Sequence, residues 1–515
     1  METSLANTRS QAIHTSLRVS TAAVFFASLA LVMGLKFGGW TEIPYWDAAM
    51  GVFPASLTLA ETDFDYPSLL EAPTFFEGGP NVHATSLITL VYAVIIKLSP
   101  THTGAYFIIH LTNYILSAGI VALLYAWSWP LLGRAGAILS AFTALLFPVV
   151  FTQAGQMYLE IPCLFAATAA MMCFKGRQII QATVWSAVAV AIKQPGIVVA
   201  GTLSLLTLFD YGPLSRRLLR GAAIAAPSLI VLFGFVGSHA AAGDRYTYIE
   251  FLRHVWFYIK AVPDLLILIC ATPLFIALMS PRVWRPSTTP DAASKSQRIF
   301  SYVFMLMFLA FYLLVPLVGT IHMLPRYYVL IIPLMILNVA DSAKALLGQK
   351  AMMTLLSVCL VFSLLNYNGR LYPRIPGNNG AIAERSAEYS DLLKAQRDIL
   401  AAAEQLPPEV PVFYGLPEHY FSNYPAMGYV ERSIANGRCF TYERKYAVLD
   451  INEFPNHFFL LLTSGPNLNW VKTQADNDPS RYSVNIWTFP QGNFQTRLIE
   501  IRRLIPTAPS PQGAS

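Results

Sequence analysis

The chain has 515 residues, of which 55% are hydrophobic and only 12% are charged, whereas an ordinary soluble domain has about 25% charged residues. Its 35 Lys and Arg against 29 Asp and Glu give a formal net charge of +6, far short of the basic density of a nucleic-acid-binding protein. The composition therefore predicts a membrane protein and argues against DNA or RNA as partners.

Apolar blocks of about 17–25 residues, the length of helix that crosses a hydrocarbon core, follow one another along most of the chain. The first block, Val19–Phe37, follows Arg9 and Arg18 and is predicted to be an uncleaved anchor that keeps residues 1–18 in the cytoplasm. The segment Ala84–Leu98 reaches only about 22 Å as a helix, so we expect it to lie in the interface without crossing. Together with ten further blocks, the pattern predicts about eleven spans. The further blocks are 104–129, 134–153, 158–174, 178–192, 195–209, 218–238, 262–280, 299–320, 326–341 and 351–367.

With this number of crossings, nearly every short basic cluster falls in the cytoplasm, as the positive-inside rule requires. The loop 39–82 and all of the chain beyond the last span then lie outside. The region after the last span has the composition of a soluble domain, with helical periodicity over Ala381–Leu406. Four later stretches have the pattern of strands between Pro, Gly and Asn turns. They are Val410–Tyr414, Ala447–Leu449, Phe458–Leu462 and Tyr482–Phe489.

The predicted fold class is a polytopic α-helical membrane protein with a C-terminal soluble α/β domain on the outer face. Mixed helices and strands in that order favour a small α/β domain, and the Pro- and Ser-rich end predicts a disordered tail. The sequence has no Asn-x-Ser/Thr sequon, which favours a bacterial inner membrane over an ER membrane and so predicts a periplasmic C-terminal domain. The predicted parts are residues 1–18 (cytoplasmic), 19–367 (membrane domain with outer loop 39–82 and interfacial helix 84–98), 368–505 (periplasmic domain) and 506–515 (tail).

Acidic residues occur at two places in or next to predicted spans, where burying a charge in the membrane costs free energy. Glu42 and Asp47 lie among aromatic residues in the first outer loop, and Glu160 begins an otherwise apolar span. A carboxylate beside a low-dielectric surface can have a pKa high enough to act as a base near neutral pH. The alternatives are ordinary solvated loop acids for the first pair and a favourable acid at a helix N-terminus for Glu160.

Basic residues also gather at the predicted outer ends of the spans: Lys193, His322 and Arg326, with His83 closing the first loop. Snorkelling to the interface explains any one of them without a function. Several together, on the face that should have few cations, indicate a binding site for a phosphate headgroup.

Several short stretches over residues 20–340 occur in an order that resembles the GT-C-fold glycosyltransferases that use polyprenyl-phosphate-linked sugars. This superfamily includes the protein O-mannosyltransferases and the lipid A aminoarabinose transferase. The stretches, after the first span and its acidic outer loop, are PNVHA at 80–84, FP at 147–148, YLEIP at 158–162, AIKQPG at 191–196, and PRYY at 325–328 followed by Pro333.

The resemblance implies transfer of a sugar from polyprenyl phosphate to an acceptor hydroxyl, with a first-loop carboxylate as the base and the acid at Glu160 supporting the site. It implies that His83, Lys193 and Arg326 hold the lipid phosphate. No cofactor is fixed by it, and a divalent cation, Mg²⁺ or Mn²⁺, serves some members. The implied partners are the lipid-linked donor, the bilayer and a glycan, lipid or protein acceptor.

The chain departs from the family pattern in the first loop. Where members often have Asp-Glu, this chain has Thr41 before Glu42, so Glu42 and Asp47 remain rival bases, with Asp47 favoured. A secondary transporter or flippase is the alternative, but it would place polar residues at the bilayer midplane, often in paired repeats. A noncatalytic scaffold that presents the outer domain would need neither the acids nor the cations.

Overall fold

A computed structural model gives the structure of the chain. The residues that it describes are 2–45, 48–65, 86–209, 213–236, 262–284, 292–314, 325–372, 385–439, 450–462, 466–491 and 494–504. The predicted class is confirmed at the level of a mostly helical chain with several apolar helices and a small C-terminal sheet.

Most helices of the membrane region follow the apolar blocks of the sequence. The helices of this region are α1 (Glu2–Leu35), α2 (Phe53–Glu61), α3 (Leu87–Leu98), α4 (His102–Leu146), α5 (Pro148–Ala154), α6 (Glu160–Lys175), α7 (Ile179–Ile192), α8 (Ile197–Thr207), α9 (Leu214–Val231), α10 (Pro263–Trp284), α11 (Ala292–Leu314), α12 (Ile332–Leu347) and α13 (Gln349–Leu365). Helix α2 was not predicted and lies within the loop 39–82.

Four helices of the described part are long and apolar enough to cross a membrane, judged by length and composition. Their apolar portions are Ser16–Leu35, His102–Leu146, Leu214–Gly234 and Pro263–Pro281. Further apolar helices are shorter, so the total of about eleven spans and the sidedness of the loops stay predictions.

Local sequence explains where several of these helices begin and end. Helix α4 holds two helical stretches that meet at Gly133, whose φ of 74° belongs to the left-handed region that glycine tolerates. Helix α5 begins with Pro148, since proline fits the first turn, where its missing N–H is not needed. The side chain of Ser86 caps α3 and also donates to the carbonyl of Ile192 at 2.8 Å, which ties α3 to the end of α7 beside Lys193.

The C-terminal domain is a five-stranded sheet with helices packed against it. Strand order is β2-β1-β3-β5-β4; β1 runs parallel to β2 and β3, and β5 runs antiparallel to β3 and β4. Helix α14 lies against β5, where the Thr496 hydroxyl donates to the Ala395 carbonyl at 3.1 Å. The elements are α14 (Tyr389–Glu404), β1 (Val412–Tyr414), α15 (Leu416–Asn423), β2 (Gly437–Cys439), β3 (His457–Leu462), α16 (Pro466–Asn477), β4 (Tyr482–Gln491) and β5 (Phe494–Arg503).

Three of the four predicted strands are confirmed as β1, β3 and β4, and the predicted helix is confirmed over Tyr389–Glu404. The fourth predicted strand, Ala447–Leu449, lies outside the described residues, as does the tail 506–515. Strands β2 and β5 and helices α15 and α16 were not predicted.

Candidate functional site

The structure places Glu42 just beyond the end of α1, against the C-terminal domain. The indole of Trp40 donates to the carbonyl of Met33 at 2.9 Å, which folds the start of the loop back onto α1. The Glu42 side chain is half-buried, and its Oε2 accepts a hydrogen bond from the hydroxyl of Tyr389 at 2.7 Å. Loss of solvation raises the pKa of the Glu42 carboxyl, although the charge of Lys36 and the Tyr389 hydrogen bond oppose the rise. The net rise makes Glu42 a stronger base than a solvated glutamate.

Lys36, which the sequence analysis did not single out, is the cation of this cluster. Its buried ammonium lies 4.6 Å from the ring centre of Phe151 and 5.3 Å from that of Tyr389. A Cβ at Gly155 would lie 2.6 Å from the Lys36 nitrogen, so the glycine leaves room for the ammonium. Aromatic faces stabilise a cation that has lost its water, and they hold the positive charge beside the Glu42 carboxylate.

The second cluster brings together three residues that the sequence predicted as site residues: Glu160, Lys193 and Arg326. The Lys193 ammonium donates to Oε1 of Glu160, and Nε of Arg326 lies 3.4 Å from the same oxygen. Glu160 and Arg326 are buried, with 4% and 3% of their surface exposed. Tyr327 lies close to both cations, its ring centre 4.7 Å from the Lys193 nitrogen and 5.4 Å from the Arg326 guanidinium carbon. Two cations therefore converge on one carboxylate.

The segment 155–160 joins the two clusters. The hydroxyl of Tyr389 that bonds to the first-loop carboxylate also lies 3.0 Å from the carbonyl oxygen of Gly155. The next carbonyl in the segment accepts a hydrogen bond from Nδ2 of Asn113 at 2.8 Å. The segment ends at Glu160, where α6 begins. The two acidic motifs therefore belong to one polar region of the protein.

The C-terminal domain forms one side of this region. Besides Tyr389, it supplies Tyr429, whose hydroxyl donates to the carbonyl of Pro44 at 2.8 Å. In the opposite direction, Tyr106 of α4 donates to the carbonyl of Ala426. Neither tyrosine of the C-terminal domain carried a sequence signal, because a tyrosine in a soluble domain is ordinary. The contacts show that the domain packs onto the first loop at the site.

Three of the predicted site residues, Asp47, His83 and His322, lie outside the described residues. The choice between Glu42 and Asp47 as the base therefore stays open, and the roles of the two histidines stay predictions.

The side chains around Glu42 can be compared with those that a divalent cation, Mg²⁺ or Mn²⁺, would need as ligands. In the described part of the chain, no group of three or more His, Cys, Asp or Glu side chains is placed to hold a metal ion. The side chains that act on the Glu42 carboxyl there are Lys36, Lys394 and Tyr389, which are not usual ligands of Mg²⁺ or Mn²⁺, while His110 contacts the backbone oxygen of Glu42. The expectation of Mg²⁺ or Mn²⁺ stays a prediction.

Comparison with known proteins gives a distant structural likeness. No protein-family model matches the sequence, and no curated relative matches it. The solved structure of ArnT from Cupriavidus metallidurans bound to undecaprenyl phosphate is similar, with 13% identity and a TM-score of 0.45 over 95% of this chain and 98% of that one. The same protein in its apo state gives 15% identity, with the same TM-score and coverage. At this distance, the function has to be argued from the side chains of this chain.

Proposed function

We propose that the chain is a membrane glycosyltransferase that moves a sugar from a polyprenyl-phosphate donor to an acceptor hydroxyl on the outer, periplasmic face of the membrane. The observation that carries the proposal is the pairing of two unlike carboxylates in one polar region. The pKa of Glu42 is raised, whereas Glu160 is in contact with Lys193 and Arg326. A base for the acceptor and positive charge for the departing phosphate are what the transfer requires.

The cationic cluster suits a lipid phosphate. Lys193 and Arg326 exceed the single charge of Glu160 by one positive charge, and the aromatic rings around them keep water away. Electrostatic attraction is strong in such a low-dielectric place. A guanidinium has five N–H donors and a geometry that matches phosphate oxygens, while an ammonium acts as a point charge.

The bond changes in the transfer are those of a substitution at the anomeric carbon. The oxygen of the acceptor hydroxyl forms a bond to that carbon while the bond from the carbon to the phosphate oxygen breaks. The electron pair of the broken bond leaves with the polyprenyl phosphate, whose charge Lys193 and Arg326 stabilise. The proton of the acceptor passes to the first-loop carboxylate, Glu42 or its rival Asp47.

Complementation of a deletion strain tests the proposal, with surface glycans measured by mass spectrometry. The informative variants are Glu42→Gln, Asp47→Asn, Glu160→Gln and Lys193→Ala, each expressed at the wild-type level. Glu409 and Lys350 are exposed, so Glu409→Gln and Lys350→Ala serve as matched controls.

We expect a defined sugar to disappear from the glycans in one or both first-loop variants, which would also identify the base. Glu160→Gln and Lys193→Ala should reduce the same product, since they disturb the phosphate site. The two exposed controls should retain it. Intact glycans in all four site variants would refute this active site and favour a transporter or a scaffold.

A further inference from the structure

A strip of buried polar side chains adjoins the Glu42 cluster and the segment that leads to Glu160. Four of them occupy one face of α4, at the spacing of three and four residues that aligns side chains on a helix. The other two stand at the end of α5 and in the segment that leads to α6. The members of this polar strip, each at most 3% exposed, are His110, Asn113, Tyr114, Ser117, Gln153 and Gln156.

Every member of the polar strip has at least one polar atom without a hydrogen-bond partner among the described residues. In Gln153 and Gln156, both the amide nitrogen and the amide oxygen lack such a partner. A buried polar group left without a partner costs about 1–3 kcal/mol, and natural proteins contain only a few per hundred residues. Six such side chains in one place indicate a site built to meet a polar ligand.

Two hydrogen-bonding contacts connect the polar strip to the proposed reaction centre. Nε2 of His110 lies 2.9 Å from the backbone oxygen of Glu42. Three residues further along α4, Asn113 donates to the backbone carbonyl of Gln156, four residues before Glu160. A group bound along the strip would therefore lie beside the proposed base and against the segment that leads to the proposed phosphate site, where the sugar of the donor has to be.

The chemistry of the polar strip indicates which kind of sugar it fits. Its side chains are carboxamides, hydroxyls and an imidazole, and none is a carboxylate. A carboxamide offers both donors and an acceptor, which match the hydroxyl groups of a sugar. The carboxylates of the two charged clusters already stand beside cations, Glu42 beside Lys36 and Glu160 beside Lys193. Within the described part of the chain, a cationic amino sugar would meet at the strip only these two carboxylates, each already beside a cation, and a buried charge needs an acidic partner of its own.

We propose that the polar strip binds an uncharged, hydroxyl-rich sugar, a neutral hexose or pentose, as the transferred group of the donor. This inference rests on the proposed function. Its test is the affinity of the purified full-length chain for undecaprenyl phosphate, for its glucose, mannose, galactose and arabinose esters, and for its aminoarabinose ester. The variants are Gln153→Met and Gln156→Met, which keep the side-chain length and remove the amide.

We expect at least one neutral-sugar ester to bind at least about tenfold more tightly than undecaprenyl phosphate alone, and the aminoarabinose ester no more tightly than that lipid. Each glutamine variant should weaken binding of the neutral ester about tenfold, the effect of losing roughly 1.4 kcal/mol, and leave the affinity for the bare lipid unchanged. Ser186→Ala is the matched control, because this buried hydroxyl of α7 also lacks a partner in the described part but lies outside the strip.

Three results would overturn the inference. Wild-type affinity of both glutamine variants for the neutral ester would show that the polar strip does not contact the sugar. Tighter binding of the aminoarabinose ester than of every neutral ester would refute the proposal that the sugar is uncharged. Failure of the wild-type chain to bind any of these lipids would refute the proposed function, and this inference with it.

Discussion

Replacing Tyr389 by phenylalanine removes one oxygen from the proposed active site. The hydroxyl comes from the C-terminal domain and donates to the Glu42 carboxylate at 2.7 Å. The ring, which is 2% exposed, fills the same space in the variant. The substitution therefore tests whether the C-terminal domain positions the base.

A hydrogen bond to a charged acceptor contributes about 1.5–3 kcal/mol. Since Glu42 is half-buried, we take the lower value, which corresponds to a roughly tenfold loss in kcat/KM at neutral pH. The bond favours the ionised carboxylate and so lowers the pKa of Glu42. Removing it raises that pKa, so the acid limb of the pH profile should move to higher pH. The deficit should shrink as the pH increases, and KM for the lipid donor should stay near the wild-type value.

The assay is sugar transfer by the purified full-length chain from pH 5 to pH 9, with the donor identified by complementation. Tyr482→Phe is the matched control, because its hydroxyl lies in the same domain and bonds only weakly, at 3.3 Å, to Asn452. An equal loss at every pH with an unmoved acid limb would indicate a structural role for Tyr389. Wild-type activity in the variant would refute the positioning role altogether.

Three further predictions concern stability and packing. Burial raises the pKa of Glu418 from 4.5 to about 7, so between these pH values the folded protein holds a proton that the unfolded chain releases. The free energy of unfolding should therefore fall by about 3 kcal/mol as the pH rises through that interval. Thermal unfolding of Glu418→Gln should lack this pH dependence. Gly155→Ala should reduce the rate of sugar transfer while changing the free energy of unfolding little, because the new methyl group would displace the Lys36 ammonium. Equal activity of the variant and the wild type would contradict this prediction. Asp341→Ala leaves Arg298 without the carboxylate that it contacts at 2.7 and 3.1 Å, and should lower the unfolding free energy by about 3 kcal/mol, measured by chemical denaturation in detergent.

The sequence predicted all three members of the Glu160 cluster, but it did not predict the side chains that surround Glu42. Glu160, Lys193 and Arg326 each stand at a helix end with a proline within two residues. Such breaks in an apolar pattern can be recognised from the sequence alone. Their convergence on one oxygen then follows from how the helices pack. The partner of Glu42 was not predictable, because Tyr389 lies 347 residues away and apolar periodicity does not report which domain covers a loop.

The strands of the sheet were likewise predicted only in part. Strands β3 and β4 have the apolar or alternating pattern of strands, whereas β5 has polar residues in its interior. β5 lies between β3 and β4, and Thr496 and Glu500 are buried there because they have partners. The sequence alone would predict Glu500 to be exposed, but its carboxylate accepts a hydrogen bond from Asn485 at 2.8 Å. Tertiary hydrogen bonds therefore override the pattern on which strand prediction depends.

The surroundings of the two carboxylates separate their roles. Glu160 contacts an ammonium and a guanidinium, so its negative charge holds two cations in place and reduces their repulsion. Glu42 has a phenol and a lysine near it and loses enough solvation for its pKa to rise. Two carboxyl groups whose environments differ in this way are suited to different tasks. Under the proposed function, we therefore expect the proton of the acceptor to pass to Glu42 rather than to Glu160, and we expect Glu160 to organise the cations that would receive the phosphate.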